Sequence, residues 1–255
     1  MGKRRLPIRR HTVQALRNTR SPRRLRVDGS RPLDFPSIKP IPAAIAFACV
    51  LACAGSAGFS QTGAIMIAID KMTVGAAPAG FEFARTGQGG PGRWAVTDDA
   101  TATGGRAIEQ TSTERTDYRF PLAIYQAVSP GNVDLTLRFK PVGGKVDQAG
   151  GIAVRLADPD NYYVVRANAL EDNVRFYRVV KGAREQLEGA NVKVTPNEWH
   201  QLGLRAEGER FSITFDGKPL FTATDRTFTG AGKVALWTKA DSVTRFDRIE
   251  IRTLP

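Results

Sequence analysis

From residue 64 onward, apolar and polar positions alternate in short runs broken by turn residues. In "VDLTLRFKPV", Val133, Leu135, Leu137 and Phe139 alternate with Asp134, Thr136, Arg138 and Lys140, the two-residue period of a half-buried strand. Ile152, Val154 and Leu156 form one face of the next strand, closed by the turn signal "DPDN". "YYVVRA" and "VRFYRVV" follow. "EWHQLGLRAEG" and "ERFSITFDGKPLFTAT" then give three strands, the last two joined by an Asp-Gly pair of the kind favoured in hairpins. "GKVALWTKADSVTRFDRIEIRTLP" supplies the final two. Upstream, "AGFEFARTG", "RWAVTDD" and "GRAIEQTS" read as strands around the Gly/Pro loop "GQGGPG", and "AIMIAID" reads as an opening strand or a flexible start.

The pattern predicts about 12 to 14 strands and no crossover helices, hence antiparallel pairing. One flat sheet of that width is improbable, and two stacked sheets with apolar faces inward are the economical solution. The predicted fold is all-β, a two-sheet antiparallel jelly-roll sandwich. One domain is expected over residues 81–255, with residues 61–80 as a flexible start or first strand.

Charge separates the first residues from this body. Residues 1–40 hold 12 of the 37 Lys and Arg but 2 of the 25 Asp and Glu, so +10 of the formal +12 lies there. The rest of the chain is nearly neutral, which argues against a nucleic-acid partner. The basic stretch is followed by "IPAAIAFACVLACAGSAGF", apolar or small throughout apart from Ser56. Residues 1–60 thus read as a basic leader with a secretory signal segment, and the protein as exported, periplasmic or extracellular. The alternative is a membrane anchor over residues 41–59, the chain's one expected membrane contact. Both cysteines, Cys49 and Cys53, fall in this segment, so cleavage would leave a domain with neither disulfide nor thiol.

Histidine usage narrows the chemistry. The chain has His11, in the leader, and His200, read as a structural residue at the start of a strand; a multi-histidine zinc site is impossible. No glycine-rich phosphate loop precedes a helix, and no cofactor is expected. Asp158, Asp160 and Asn161 in "DPDN" are weak candidates for structural calcium, which takes hard oxygen ligands from loops. Asp158, Asp160, Glu171, Asp172, Asp241 and Asp247 could also meet through the fold as the paired carboxylates of a glycosidase.

The most distinctive stretch runs from Gly150 to Gly182. Tyr162, Val164 and Arg166 share one side of their strand, and Tyr163, Val165 and Ala167 the other; Arg175, Tyr177 and Val179 oppose Val174, Phe176, Arg178 and Val180. With the more apolar set of each strand inward, Arg155, Arg166, Arg175 and at least one tyrosine per strand are expected to be exposed, as one patch if the strands are neighbours. Tyrosine rings offer flat faces to sugar C–H groups, and arginine forks bind hydroxyls or carboxylates. The ligand-binding candidates are Arg155, Tyr163, Arg166, Arg175 and Tyr177, with Trp237 and Trp94 as further aromatic candidates. The bland alternative is a wet sheet face whose Arg and Tyr cover apolar neighbours.

The runs "DPDNYYVVRANALEDNVRFYRVVKGAR", "EWHQLGLRAEGERFSITFDGKPLFTATDRTF" and "GAGKVALWTKADSVTRFDRIEI" resemble the concanavalin A-like lectin/glucanase superfamily, and within it LamG-like and 3-keto-disaccharide hydrolase-like domains. The resemblance implies the same two-sheet fold and a glycan-related role. A laminarinase-like member would carry an E-x-D-x-x-E segment, which this chain lacks; "REQLEG", with Glu185 and Glu188, comes nearest. The leading expectation is an exported module that binds glycan or another cell-envelope ligand without cleaving it. A glycoside-processing hydrolase and a structural or protein-interaction module are the alternatives.

Overall fold

The computed structural model describes residues 63–255. The basic stretch, the apolar segment and both cysteines lie outside the described residues. In chain order the strands are β1 (Ile65–Met66), β2 (Phe81–Gly87), β3 (Trp94–Asp98), β4 (Arg106–Gln110), β5 (Arg119–Tyr125), β6 (Asn132–Gly143), β7 (Ala149–Asp158), β8 (Asn161–Asn168), β9 (Asn173–Val180), β10 (Ala183–Asn191), β11 (His200–Glu207), β12 (Arg210–Phe215), β13 (Lys218–Thr224), β14 (Lys233–Trp237) and β15 (Val243–Leu254). Only two 3-10 turns, Ile69–Lys71 and Thr103–Gly105, interrupt them among the described residues.

These strands make two antiparallel sheets. One runs β13-β12-β11-β6-β15-β4-β3, with β1 pairing β15 as its eighth strand. The other has seven strands in the order β10-β9-β8-β7-β14-β5-β2. Alternation in the sequence maps onto the core between them. Leu135, Leu137 and Phe139 from β6 face Ile152, Val154, Tyr163, Val165 and Phe176 of the seven-stranded sheet, all buried in one cluster. At the β12–β13 turn, Asp216 and Gly217 both have positive φ, 48° and 74°, as a two-residue hairpin of the primed type requires.

The outer face of the seven-stranded sheet departs from the simple sandwich. Phe120, Leu122, Ala153, Tyr162, Val164, Tyr177, Val179 and Trp237 lie on that face, yet they are buried in a second apolar cluster. The sheet rolls on itself. Tyr118, just before β5, donates its hydroxyl to the carbonyl of Gly182 in the β9–β10 turn (2.9 Å) and accepts the N–H of Arg184 (2.8 Å). Thr86 on edge strand β2 bonds the Pro159 carbonyl in the β7–β8 turn (2.5 Å) and the Tyr162 hydroxyl (2.7 Å). Contacts between the two flanks thus close a trough, and its floor becomes a core in its own right.

Rolling explains why the expected exposed patch is not found. Arg166 and Tyr177 share the outer face, but they are 5% and 7% exposed. Tyr163 faces inward, stacked on Phe176, with its hydroxyl on Asp225 (2.5 Å) and burial pushing its pKa to about 12. Arg155 sits at φ 50° in an irregular stretch of the β7–β8 pairing that breaks the alternation. Its buried guanidinium bonds the carbonyls of Gly131 (2.9 Å), Phe228 (2.9 Å) and Gly208 (2.5 Å), which makes it a clamp for three loops and not a surface group. Trp94, on edge strand β3, lies in the main core against Phe246.

Candidate functional site

The register of the seven-stranded sheet sets one row of residues across the trough. Arg175 pairs with Arg166, Arg166 with Gly151, and Gly151 with Trp237, so all four positions share the outer face. Gly151 puts no side chain between Arg166 and Trp237, and a Cβ there would lie 2.6 Å from the Val165 carbonyl oxygen. The next row places Tyr177 beside Val164 and Ala153.

Above this floor the side chains form one connected group. The ring of Trp237 stacks on Phe120 with centroids 5.2 Å apart, and its Nε1 donates to the Tyr162 hydroxyl (3.2 Å). Burial pushes the Tyr162 phenol up to about 12, so it stays a neutral donor and acceptor. Arg184, from edge strand β10, lays its guanidinium over Tyr177 (4.4 Å), Phe120 (4.7 Å) and Trp237 (5.9 Å). Its Nη1 is buried and has no hydrogen-bond partner among the described residues.

At the other side of Tyr177, Arg166 donates to the Tyr177 hydroxyl (3.1 Å), to Glu171 (2.7 Å) and to Asn173. Asn173 also donates to Glu171 at 3.1 Å. Burial works against the charge of Glu171, but Arg166 and Asn173 outweigh it and hold the carboxyl below its usual range. The Glu171 side chain is 44% exposed, so it offers an ionised acceptor to solvent. Beside it, Lys239 bridges Asp147 (2.8 Å) and Asp117 (2.9 Å). Burial disfavours the charge on Lys239, yet the two carboxylates raise its pKa; Asp147, buried and bonded also by Asn168 (2.7 Å), is raised by burial.

Of the residues singled out from sequence, the structure therefore brings Arg166, Tyr177 and Trp237 into one trough. Arg175 borders it, half-buried and bonded to Asn191 (2.6 Å). Arg155, Tyr163 and Trp94 serve the fold elsewhere. The turn residues Asp158 and Asn161 are occupied by their own turn: Asp158 accepts the Asp160 N–H (2.8 Å) and the Asn161 amide (2.9 Å). Among the described residues no group of three or more His, Cys, Asp and Glu side chains could hold a metal ion. His200 lies between Asp216 (2.9 Å) and the Thr195 carbonyl (3.0 Å), in a structural role.

The candidate acids do not converge. Asp241 accepts three loop N–H groups from Lys145, Val146 and Asp147, while Asp247 accepts the Thr103 N–H and Arg138 on the other sheet. Asp172 holds Lys193 and the Val194 N–H. Glu171 alone of that set reaches the trough. Sequence reasoning missed Phe120, Asp147, Asn173, Arg184 and Lys239, which are brought in from four separate stretches. Arg184 in "KGARE" carried one usable signal, an arginine directly after a hairpin turn that closes on the distinctive stretch.

Comparison with known proteins agrees with this architecture. Residues 126–254 match the family described as "Galactocerebrosidase, C-terminal lectin domain". No curated protein sequence matches the chain. Among solved structures, the carbohydrate-binding module CBM66 from Bacillus subtilis is 22% identical, with a TM-score of 0.53 over 67% of this chain and 95% of that one. The Bacillus licheniformis beta-glucanase is 13% identical, with a TM-score of 0.50 over 76% of this chain and 100% of that one. These likenesses show the fold, a concanavalin A-like sandwich.

Proposed function

The chain belongs to the family of the galactocerebrosidase C-terminal lectin domain, and from that premise we propose that it binds a saccharide without cleaving it, in the trough on the outer face of the seven-stranded sheet. The observation that carries this reading is the half-buried Arg184, laid over the buried rings of Tyr177, Phe120 and Trp237, with the ionised Glu171 exposed at the rim. The polar edge of this group, where Arg184 and Glu171 reach solvent above the buried rings, suits sugar hydroxyls.

Binding is preferred to hydrolysis on the chemistry of the carboxylates. A glycosidase needs one acid held protonated and another free to act as base or nucleophile. Here Glu171 is tied to Arg166, and Asp147 is sealed against Lys239 and Asn168. The sequence resemblance to LamG-like and 3-keto-disaccharide hydrolase-like domains enters this reading as an expectation about fold alone. The basic and apolar stretches of residues 1–60 support export, so the proposed ligand is an extracellular or cell-envelope glycan.

The test is affinity electrophoresis of the purified protein through a panel of neutral and acidic polysaccharides, repeated with Tyr177→Ala. Retardation by at least one polysaccharide that falls in the variant is expected. Free migration through every gel would overturn the reading in favour of a structural or protein-interaction module.

A further inference from the structure

Among the described residues, the cationic side chains on the trough each have a carboxylate or a side-chain hydrogen-bond acceptor, with one exception. Arg166 has Glu171, and Lys239 has Asp117 and Asp147. Arg175 has the Asn191 amide oxygen. Arg184 lies on three aromatic rings, its Nη1 buried and without a partner among the described residues. Its sequence neighbour Glu185 turns to the opposite face, where it pairs with Arg178 at 2.9 Å.

A cation over ring faces gains from their quadrupoles, but that attraction leaves the N–H donors unsatisfied. Arg184 is half-buried and lacks a counter-ion, and a neutral hydroxyl would satisfy a hydrogen bond there without balancing the charge. A carboxylate does both, because its two oxygens match the planar fork. Resting on the binding reading above, we propose that the saccharide is acidic, and that Arg184 receives its carboxylate on the solvent-facing side of its guanidinium while the sugar lies along the rim of the trough, above the buried rings.

The experiment is calorimetric titration of the full chain, at fixed ionic strength, with polygalacturonate, alginate and glucuronan fragments, each paired with its carboxyl-reduced counterpart. At least one uronate should bind about ten-fold more tightly than its reduced form, and Arg184→Gln should bring the two within about two-fold, whereas Arg184→Lys keeps part of the preference. Equal binding of native and reduced fragments, binding of neutral fragments alone, or an undiminished preference in Arg184→Gln would overturn the acidic assignment and leave saccharide binding standing. Failure of every saccharide, acidic and neutral, to bind would remove both. The native-against-reduced comparison uses the unaltered protein, so it holds even if the variants fold poorly.

Discussion

The hydroxyl of Tyr118 lies 2.9 Å from the carbonyl oxygen of Gly182, joining residues 64 positions apart on opposite flanks of the seven-stranded sheet. The same hydroxyl accepts the Arg184 N–H, so one phenol fixes both the roll of the sheet and the strand that carries the unpaired guanidinium. Tyr118→Phe removes both bonds and keeps the ring against Phe120. We expect a loss of about 1–2 kcal/mol in denaturant unfolding and faster amide exchange in the β9–β10 turn. Stability equal to that of the unaltered protein would show that the roll is held elsewhere.

Arg155 separates fold from site. Its guanidinium satisfies three loop carbonyls at a buried position, so Arg155→Ala should cost about 2–4 kcal/mol by leaving those acceptors unpaired. The fraction that remains folded should be retarded by polysaccharide as the parent is. A selective loss of retardation at unchanged stability would return Arg155 to the ligand site.

Trp237 belongs to fold and site together. Trp237→Ala opens a cavity between Phe120 and Tyr162 and should destabilise by about 3–5 kcal/mol. Trp237→Phe keeps a ring against Phe120 and loses the bond to Tyr162, for which about 1–2 kcal/mol is expected. Urea midpoints that rank the two variants in the opposite order would exclude the stacked arrangement.

Acid should weaken the domain through carboxylates whose pKa is lowered in the fold. Burial opposes the charge of Asp99, but Lys140, Thr101 and Arg245 outweigh it. Asp225 and Asp241 are lowered in the same way, by Thr227 and Tyr163 and by the Lys145, Val146 and Asp147 N–H groups. Below their unfolded values of about 4, the unfolded chain takes up protons that the folded one refuses. The stabilisation is therefore complete above about pH 5 and drains away as pH falls through the carboxylate range. Asp147 and Asp247, raised by burial, act with the opposite sign. Urea midpoints from pH 7 to pH 2 should fall, and Asp99→Asn should start lower and fall less steeply. A parallel fall would exclude Asp99 as a source of the dependence.

Much of the fold was legible because strand period is a local property. Val133, Leu135, Leu137 and Phe139 face the core as their alternation requires, and Trp237 shares a face with Ala235. Which face of β8 meets solvent was not legible. Tyr162 and Val164 are as apolar as Tyr163 and Val165, and the sequence signal for a two-sided buried sheet is a near-continuous apolar run rather than a clean alternation. The bulge at Arg155 reverses the parity of one strand, and the pairing of Arg184 with Phe120 and Trp237 depends on a curl that only long-range contacts create. Acids such as Asp241 and Asp158 looked chemical in sequence, yet they are spent on backbone N–H groups that loops would otherwise leave bare.

A sheet greasy on both sides has a cost during folding. Until the Tyr118 latch engages, Phe120, Leu122, Val164, Val179 and Trp237 form a sticky strip that a second half-folded copy could seize. Renaturation yield should consequently drop as protein concentration rises, and the molecules recovered should be those in which the two flanks met each other before they met a neighbour.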